Sequence, residues 1–186
     1  MIREAKVEDS EAIVELFKVI LLDMALPIMK QVSWDKLKVA LIEATKQEAY
    51  RHSFKHAIVS DIDGEIAGFC FGYPGEMSEA NDRELQPILE KHALPLFQTF
   101  YPQETMAGEW YLDSLVVHES FRGQGIGRQL LQAAYQSAKL SGQTKIGLNV
   151  DHENPRAKKL YEQQGFTKMK ELTIAGHRYD HMQKNL

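Results

Sequence analysis

The residues best suited to gripping a ligand are Arg122-Gly123-Gln124-Gly125-Ile126-Gly127. Glycines let a backbone approach a ligand closely and adopt φ > 0. A helix starting there aims unpaired N–H groups, and the positive end of its dipole, at whatever docks. That combination suits phosphate, and Arg122 and Arg128 add positive charge on either side. A P-loop is excluded, because no lysine directly follows Gly127. A dinucleotide-binding fingerprint fits better, with Asp151 at the end of the next strand. Its third glycine, however, would fall at Leu130, and His118-Glu119-Ser120-Phe121 separates the loop from the preceding strand. A nucleotide-dependent oxidoreductase using this loop stays as an alternative.

A second feature is an acid within a strand. Asp113 lies in Trp110–Val117, a run rich in aromatic and β-branched residues. Asp is depleted in strands, and a buried carboxylate is costly without partners, so Asp113 is a candidate base or water-holder. Glu109, earlier on the same segment, is another. His177, Tyr179 and His181 alternate onto one strand face, which raises the question of a metal. A strand advances about 3.3 Å per residue, which puts the two histidines about 13 Å apart on that spacing. Zinc–nitrogen bonds are only about 2 Å, so one ion cannot take both, and no metal site is expected. Cys70, between Phe69 and Phe71, reads as buried packing rather than a nucleophile.

These groups need a scaffold, and its elements are visible as periodicities. Ile2 to Val7 suits a short strand. From Glu8, Ile13, Leu16, Phe17, Ile20, Leu21 and Met24 recur at helical spacing, with Pro27 as the expected stop. A second helix is expected from Ser33 through Leu37, Leu41 and Ala44 towards Tyr50. Ala57–Ile62 and Glu65–Tyr73 form a hairpin around Asp63-Gly64. Residues 78–100 lean towards helix but carry Pro87 and Pro95. Strand Trp110–Val117, a helix opened by the glycine loop and ended by Gly142, and strand Lys145–Val150 follow. A helix capped by Asn154-Pro155 and closed by Gly165 comes next, then strands over 166–174 and 177–182. The order predicts an α/β class with a mixed sheet (α+β) and a βαβ unit at its centre.

Composition bounds the rest. The chain has 186 residues, 44% hydrophobic and 26% charged, which suits a soluble globular fold in one domain over 1–186. A net charge of −4 provides no global basic field, so neither nucleic acid nor a membrane surface is an expected partner. No segment approaches the roughly 20 apolar residues of a membrane span. With no leader-like N-terminus and a single cysteine, a cytoplasmic location is expected.

The run Leu115-Val116-Val117-His118-Glu119-Ser120-Phe121-Arg122-Gly123-Gln124-Gly125-Ile126-Gly127 resembles the core motif of acetyl-CoA-dependent N-acetyltransferases of the GNAT superfamily. That motif is a strand ending in Leu-x-Val, a short loop, then Arg/Gln-x-x-Gly-x-Gly/Ala opening a helix. The family's second motif, Asn-x-x-Ala-x-x-x-Tyr-x-x-x-Gly-Phe, is matched by Asn154, Ala157, Tyr161, Gly165 and Phe166. The match runs from about Trp110 to Phe166. Glu119 departs from it where many members have proline, which changes loop stiffness more than chemistry.

The resemblance implies a GNAT-like acyl-CoA N-acyltransferase fold with splayed central strands. Backbone N–H groups from Arg122 through Gly123, Gln124, Gly125, Ile126 and Gly127 would cradle the pyrophosphate, with Arg128 nearby. Leu115, Val116 and Val117 would hold the pantetheine and the thioester carbonyl, aided by a bulge that frees an N–H near Leu115–Val117. Asn154 would cap its helix and touch the cofactor near the thiol. Tyr161 would act as general acid towards the leaving thiolate. For the base, some members carry a carboxylate at the end of the fifth strand, where this chain has Asn149. Asp113, Glu109 and Asp151 are the carboxylates available instead. The implied activity is acetyl transfer from acetyl-CoA, the co-substrate, to a primary amine of a small molecule or peptide, directly in a ternary complex and without metal. A homodimer is left open, and a non-catalytic acyl-CoA sensor is the other alternative. Acceptor recognition is expected from residues 24–35, 74–107 and the final hairpin, where Glu76, Glu79 and Glu104 supply acidic groups.

Overall fold

The computed structural model describes residues 1–77, 83–97 and 104–186. Strands β1 (Ile2–Glu4), β2 (Ala57–Ile62), β3 (Glu65–Pro74), β4 (Trp110–Val117), β5 (Lys145–Asp151), β6 (Thr167–Ile174) and β7 (His177–Asn185) form one sheet. Their order is β1-β2-β3-β4-β5-β7-β6. All neighbours are antiparallel except β4 and β5. The β2–β3 hairpin turns through Asp63 (φ 53°) and Gly64 (φ 88°), the pair of positive φ angles that a two-residue turn of matching twist needs.

Helices α1 (Ser10–Asp23), α2 (Ile28–Gln31), α3 (Trp34–Thr45) and α4 (Leu85–Lys91) precede β4, α5 (Ile126–Leu140) follows it, and α6 (Pro155–Gln163) follows β5. Ile13, Phe17, Leu37, Leu41, Leu85 and Leu89 from α1, α3 and α4 bury one sheet face, over Val59, Phe69, Phe71 and Val116. On the other face, Leu130, Leu131, Ala134 and Ala138 of α5 pack on Ile58, Cys70, Leu112, Ile146 and Leu148. At full burial, each Leu, Ile or Phe side chain contributes roughly 1.5–3 kcal/mol.

β1 ends at Glu4, α3 at Thr45 short of Tyr50, and β7 runs on to Asn185, and two prolines act differently from the sequence expectation. Pro27 does not stop α1. The helix ends at Asp23, Ala25 turns left-handed (φ 51°), and Ala25 and Leu26 N–H groups donate back to Leu22 and Leu21 carbonyls. The buried Leu26 anchors this cap, and Pro27 instead starts α2. Pro87 does not break its segment either; it sits in the first turn of α4, where its missing N–H has no intrahelical partner to lose.

Between β4 and β5 the registered pairs are Trp110–Ile146, Tyr111–Gly147 and Leu112–Leu148, and pairing stops there. Asp113–Val117 and Asn149–Asp151 therefore diverge, opening a gap in the middle of the sheet. On its other side β4 stays paired with β3, but with a bulge. Phe71 faces Ser114 and the adjacent Gly72 faces Leu112, leaving Asp113 as the extra residue. Leu112 and Leu115 consequently pack into the same core, although their odd spacing would put them on opposite faces of an unbroken strand. The bulge thus lies at Asp113, just before the Leu115–Val117 segment where the family resemblance implied a freed N–H.

Gly72, beside the bulge, is required by packing: a Cβ there would lie 1.8 Å from the Trp110 indole. Gly72→Ala should lower the urea midpoint, losing about 1–3 kcal/mol or more to overpacking. An unchanged midpoint would show that Trp110 has another rotamer available.

Candidate active site

The gap between β4 and β5 opens into a cavity of about 220 Å³. Its walls combine Asp113, Ser114 and Leu115 of β4, Asn149 and Asp151 of β5, Asn154, Ala157 and Tyr161 at α6, and Ile20 and Met24 at the end of α1. Ile174 of β6 and Tyr179 of β7 complete the rim with Phe97 and Glu104. Of the three regions expected to recognise an acceptor, Met24 and Leu26, Phe97 and Glu104, and Ile174 and Tyr179 line this cavity. Glu79 lies outside the described residues, and Glu76 instead accepts a hydrogen bond from Gly108 N–H at 2.9 Å.

On β4, His118 N–H donates to Ala67 O at 2.9 Å. Antiparallel ladders alternate, so Val116 and Ser114 direct their backbone groups to β3, while those of Leu115 and Val117 face the gap. Val116 buries its side chain in the helical-pair core. Beyond β4, Arg122 to Gly125 of the glycine loop are exposed, Ile126 is buried, and none of them lies on the cavity wall. Gly123 (φ 82°) and Gly125 (φ 80°) adopt left-handed conformations, and a Cβ at either would meet nothing within 4 Å. Gly125 starts α5 without a side-chain cap, leaving the N–H groups of the first turn, from Ile126 to Arg128, open to a ligand. Arg122 and Gln124 are exposed there, and Arg122 Nε donates to Val117 O at 3.3 Å. Gly127 packs against β4: a Cβ there would sit 3.7 Å from Leu115 and 3.8 Å from Val117.

Asn154 caps α6, its Oδ1 accepting from Ala157 N–H at 3.0 Å, with Pro155 in the first turn. This places Ala157 and Tyr161 on the inward face. The Tyr161 ring packs edge-on against Phe166 at 5.6 Å, and burial pushes its hydroxyl up to about 12, so the phenol is protonated at neutral pH.

Asp113 sits in a dense polar cluster. Arg51 Nη1 donates to its Oδ2 at 2.8 Å, His52 Nε2 lies 3.0 Å from its Oδ1, and Ser114 Oγ donates at 2.7 Å. The Tyr73 hydroxyl also donates to it, while accepting from Arg51 at 2.9 Å. Burial opposes the charge on Asp113, but the charges of His52 and Arg51 and the hydrogen bonds of His52 and Tyr73 win, holding its carboxyl well below the usual range. A carboxylate so stabilised is a weak proton acceptor, so this geometry favours the water-holding or structural role over that of base.

Glu109, the other candidate base, is fully buried and absent from the cavity wall. It accepts from Met106 N–H at 2.8 Å and Gln183 Nε2 at 2.7 Å, and faces His181 Nε2 at 3.0 Å. His181 Nδ1 lies 2.8 Å from Asn149 Oδ1, and Asn149 Nδ2 donates to the Tyr111 hydroxyl at 3.0 Å. His177 turns to a different partner, with Nδ1 3.3 Å from Asp151 Oδ2. Cys70 is wholly buried, and burial pushes its thiol up to about 12, consistent with packing. Among the described residues, His152, Glu171 and Asp180 could bring ligand atoms within 4.8 Å of one another. Asp180, however, already pairs with Lys158 and Lys168 at 2.6 Å each, and the trio lies outside the cavity.

The family model for the acetyltransferase (GNAT) family matches residues 23–166. The chain belongs to that family. Among relatives, the N-acetyltransferase YycN of Bacillus subtilis is 35% identical over 86 residues, covering 46% of this chain and 50% of that protein. The acetyltransferase Atu2258 of Agrobacterium fabrum is 41% identical over 68 residues, covering 37% and 48%. The chain thus spans about half the length of these curated relatives. A solved acetyltransferase superimposes with a TM-score of 0.89 at 45% identity, covering 100% of this chain and 98% of that one. An N-acetyltransferase from Staphylococcus aureus Mu50 gives 0.86 at 26%, covering 99% and 100%. The fold is also shared by yncA of Salmonella typhimurium, solved with its cofactor acetyl-CoA, with a TM-score of 0.61 at 19% identity, covering 100% and 92%. Among the described residues, no helix is long and apolar enough to cross a membrane.

Sequence reasoning missed Arg51, His52, Tyr73 and Tyr111. They fall at a helix exit and within strands, where nothing in their spacing marks them, and only the Asp113 bulge gathers Arg51, His52 and Tyr73. Removing that carboxylate should be costly. Asp113→Asn leaves Arg51 buried beside a neutral amide, and urea titration should show a loss of about 3–5 kcal/mol. Because the folded carboxyl is held below the unfolded value of about 3.9, its stabilisation is complete above that pH and drains away as pH falls below it. The Asn variant should lack that part of the acid slope; an identical slope would remove Asp113 from the network's energetics.

Proposed function

We propose that the protein transfers the acetyl group of acetyl-CoA to a primary amine of a small molecule or peptide, directly within a ternary complex. The observation that carries this reading is the gap: a strand edge, Leu115 to Val117, runs from a glycine-opened helix N-terminus to a cavity holding a protonated tyrosine. Left-handed Gly123 and Gly125, an uncapped helix and an edge facing a gap fit a donor with a phosphate head and an amide-bearing arm. When bound, acetyl-CoA supplies an activated acetyl thioester.

Backbone N–H groups from Arg122 to Gly127 hold the pyrophosphate, and Arg122 turns from Val117 O to meet it, with Arg128 adding charge. Leu115 and Val117 pair with the arm as an added strand would, with Val116 anchoring the edge, and Asn154 lies against its sulfur end. Asp151, on the cavity wall with His177 behind it, takes the base role that Asp113 and Glu109 are poorly placed to fill. Tyr161 gives its proton to the sulfur that departs with the C–S electron pair. It regains one of the two protons that the ammonium sheds as the C–N bond forms, and Asp151 accepts the other.

Calorimetry should detect acetyl-CoA binding at micromolar concentrations, and its absence would overturn the reading. Tyr161→Phe should lower kcat by roughly a hundredfold or more with KM for acetyl-CoA little changed. Full activity in that variant would remove the general acid.

A further inference from the structure

A chain of hydrogen bonds crosses the sheet from β7 to the cavity, and one carbonyl fixes its direction. Asn149 Nδ2 donates at 3.0 Å to the backbone oxygen of Glu104, an atom that can only accept. That contact settles which end of the amide is nitrogen. The same Nδ2 gives its other proton to the Tyr111 hydroxyl at 3.0 Å, and Oδ1 is left facing His181 Nδ1 at 2.8 Å. His181 Nδ1 is therefore the donor of that pair. Its Nε2 meets Glu109 at 3.0 Å, and Glu109 is held in turn by Gln183 Nε2 at 2.7 Å and Met106 N–H at 2.8 Å. Turning the amide over would set oxygen against the Glu104 carbonyl and a second donor against His181.

The consequence falls on Tyr111. Its oxygen accepts from Asn149, and among the described residues its own O–H meets no acceptor. Tyr111 is only 3% exposed and lies on the cavity wall, so an oxygen entering the cavity would relieve that buried donor. Burial first, then the carboxylates of Glu104 and Asp113, hold the phenol well above its usual range, and it keeps its proton. The register places this donor. Tyr111 pairs with Gly147, one step before β4 and β5 part beyond Leu112 and Leu148, and Asn149 is the first β5 residue past that point. A hydroxyl tied to Asn149 thus stands at the closed end of the gap. The glycine loop follows Val117 at the open end, so an arm laid along Val117 and Leu115 carries its thioester towards Tyr111.

We infer that Tyr111 is a further catalytic residue: its hydroxyl donates a hydrogen bond to the acetyl carbonyl oxygen as that oxygen gains negative charge, with Asn149 and His181 as positioning residues. This rests on the acetyl-transfer reading and deepens it. A donor already aimed at such an oxygen, in a site sheltered from water, stabilises the transition state without reorganising. Tyr111 keeps its proton throughout, whereas Tyr161 gives its own to sulfur. The amide at Asn149 is what makes this possible, because a carboxylate there would accept the Tyr111 proton and turn it away from the cavity.

The first test needs no turnover. Infrared difference spectra are taken with acetyl-CoA isotope-labelled at the acetyl carbonyl carbon. The carbonyl stretch should lie lower when bound to the wild-type protein than when free, and should move back up in Tyr111→Phe. Asn149→Asp should move it up as well, by drawing the Tyr111 proton onto the new carboxylate. Only folded protein binds the donor, so the bound band is insensitive to a loss of folded material. In steady-state assays, Tyr111→Phe should lower kcat about a hundredfold, with KM for acetyl-CoA and for the amine little changed. A bound stretch that is the same in wild type and Tyr111→Phe would overturn the inference while leaving acetyl transfer intact. So would a raised amine KM at unchanged kcat, which would make Tyr111 an acceptor contact. An unmoved stretch in Asn149→Asp would overturn the positioning by Asn149 and His181. Wild-type protein that binds no acetyl-CoA would overturn both the inference and the reading beneath it.

Discussion

Everything at this site depends on β4 and β5 ceasing to pair beyond Leu112 and Leu148. A continuous ladder would satisfy the backbone groups of Leu115 and Val117 inside the sheet and leave no cavity. Parallel strands anchored at one end and divergent at the other do two things at once. They expose a short edge in the middle of the sheet, where a ligand rather than another chain can complete it. They also place α6 across the opening, so that its capped first turn fixes where Tyr161 points.

The divergence is held open by polar groups on both strands. On the β4 side, the Asp113 bulge joins Arg51, His52, Ser114 and Tyr73. On the β5 side, Asn149 and His181 link Tyr111 to Glu109 and Gln183. Such networks are costly to bury and tolerate few alternatives, because each member left unpaired carries a desolvation penalty of about 1–3 kcal/mol. Gly147 shows how tightly the second one is fitted: a Cβ there would lie 2.0 Å from the Glu109 carboxylate. The networks therefore act on specificity and geometry more than on net stability. They also tie the cavity's Arg51 and His52 to Asp113.

Much of this was legible in the chain. Trp110–Val117 was expected as a strand and β4 has those ends; the Asp63-Gly64 turn and the helix from Asn154-Pro155 follow equally local rules. The end of α1 was misplaced because a left-handed Ala25, held by Leu26 burial, stops the helix before Pro27 can. Glu109 and Asp113 looked alike as acids near one strand. Their environments differ completely, since one lies against His181 and Gln183 away from the cavity and the other faces Arg51 and His52 on its wall.

By itself the sequence determined what depends on neighbours along the chain: periodicity, turn and cap chemistry, the phosphate-ready loop, and the two motifs that carry the family. Only the tertiary structure decided which carboxylates meet cations, where the bulge falls, and where β4 and β5 stop pairing. Those outcomes depend on pairs such as Arg51 with Asp113 and His181 with Glu109, far apart in sequence. A charge's role is set by its burial and its partners, and neither is written in its position along the chain.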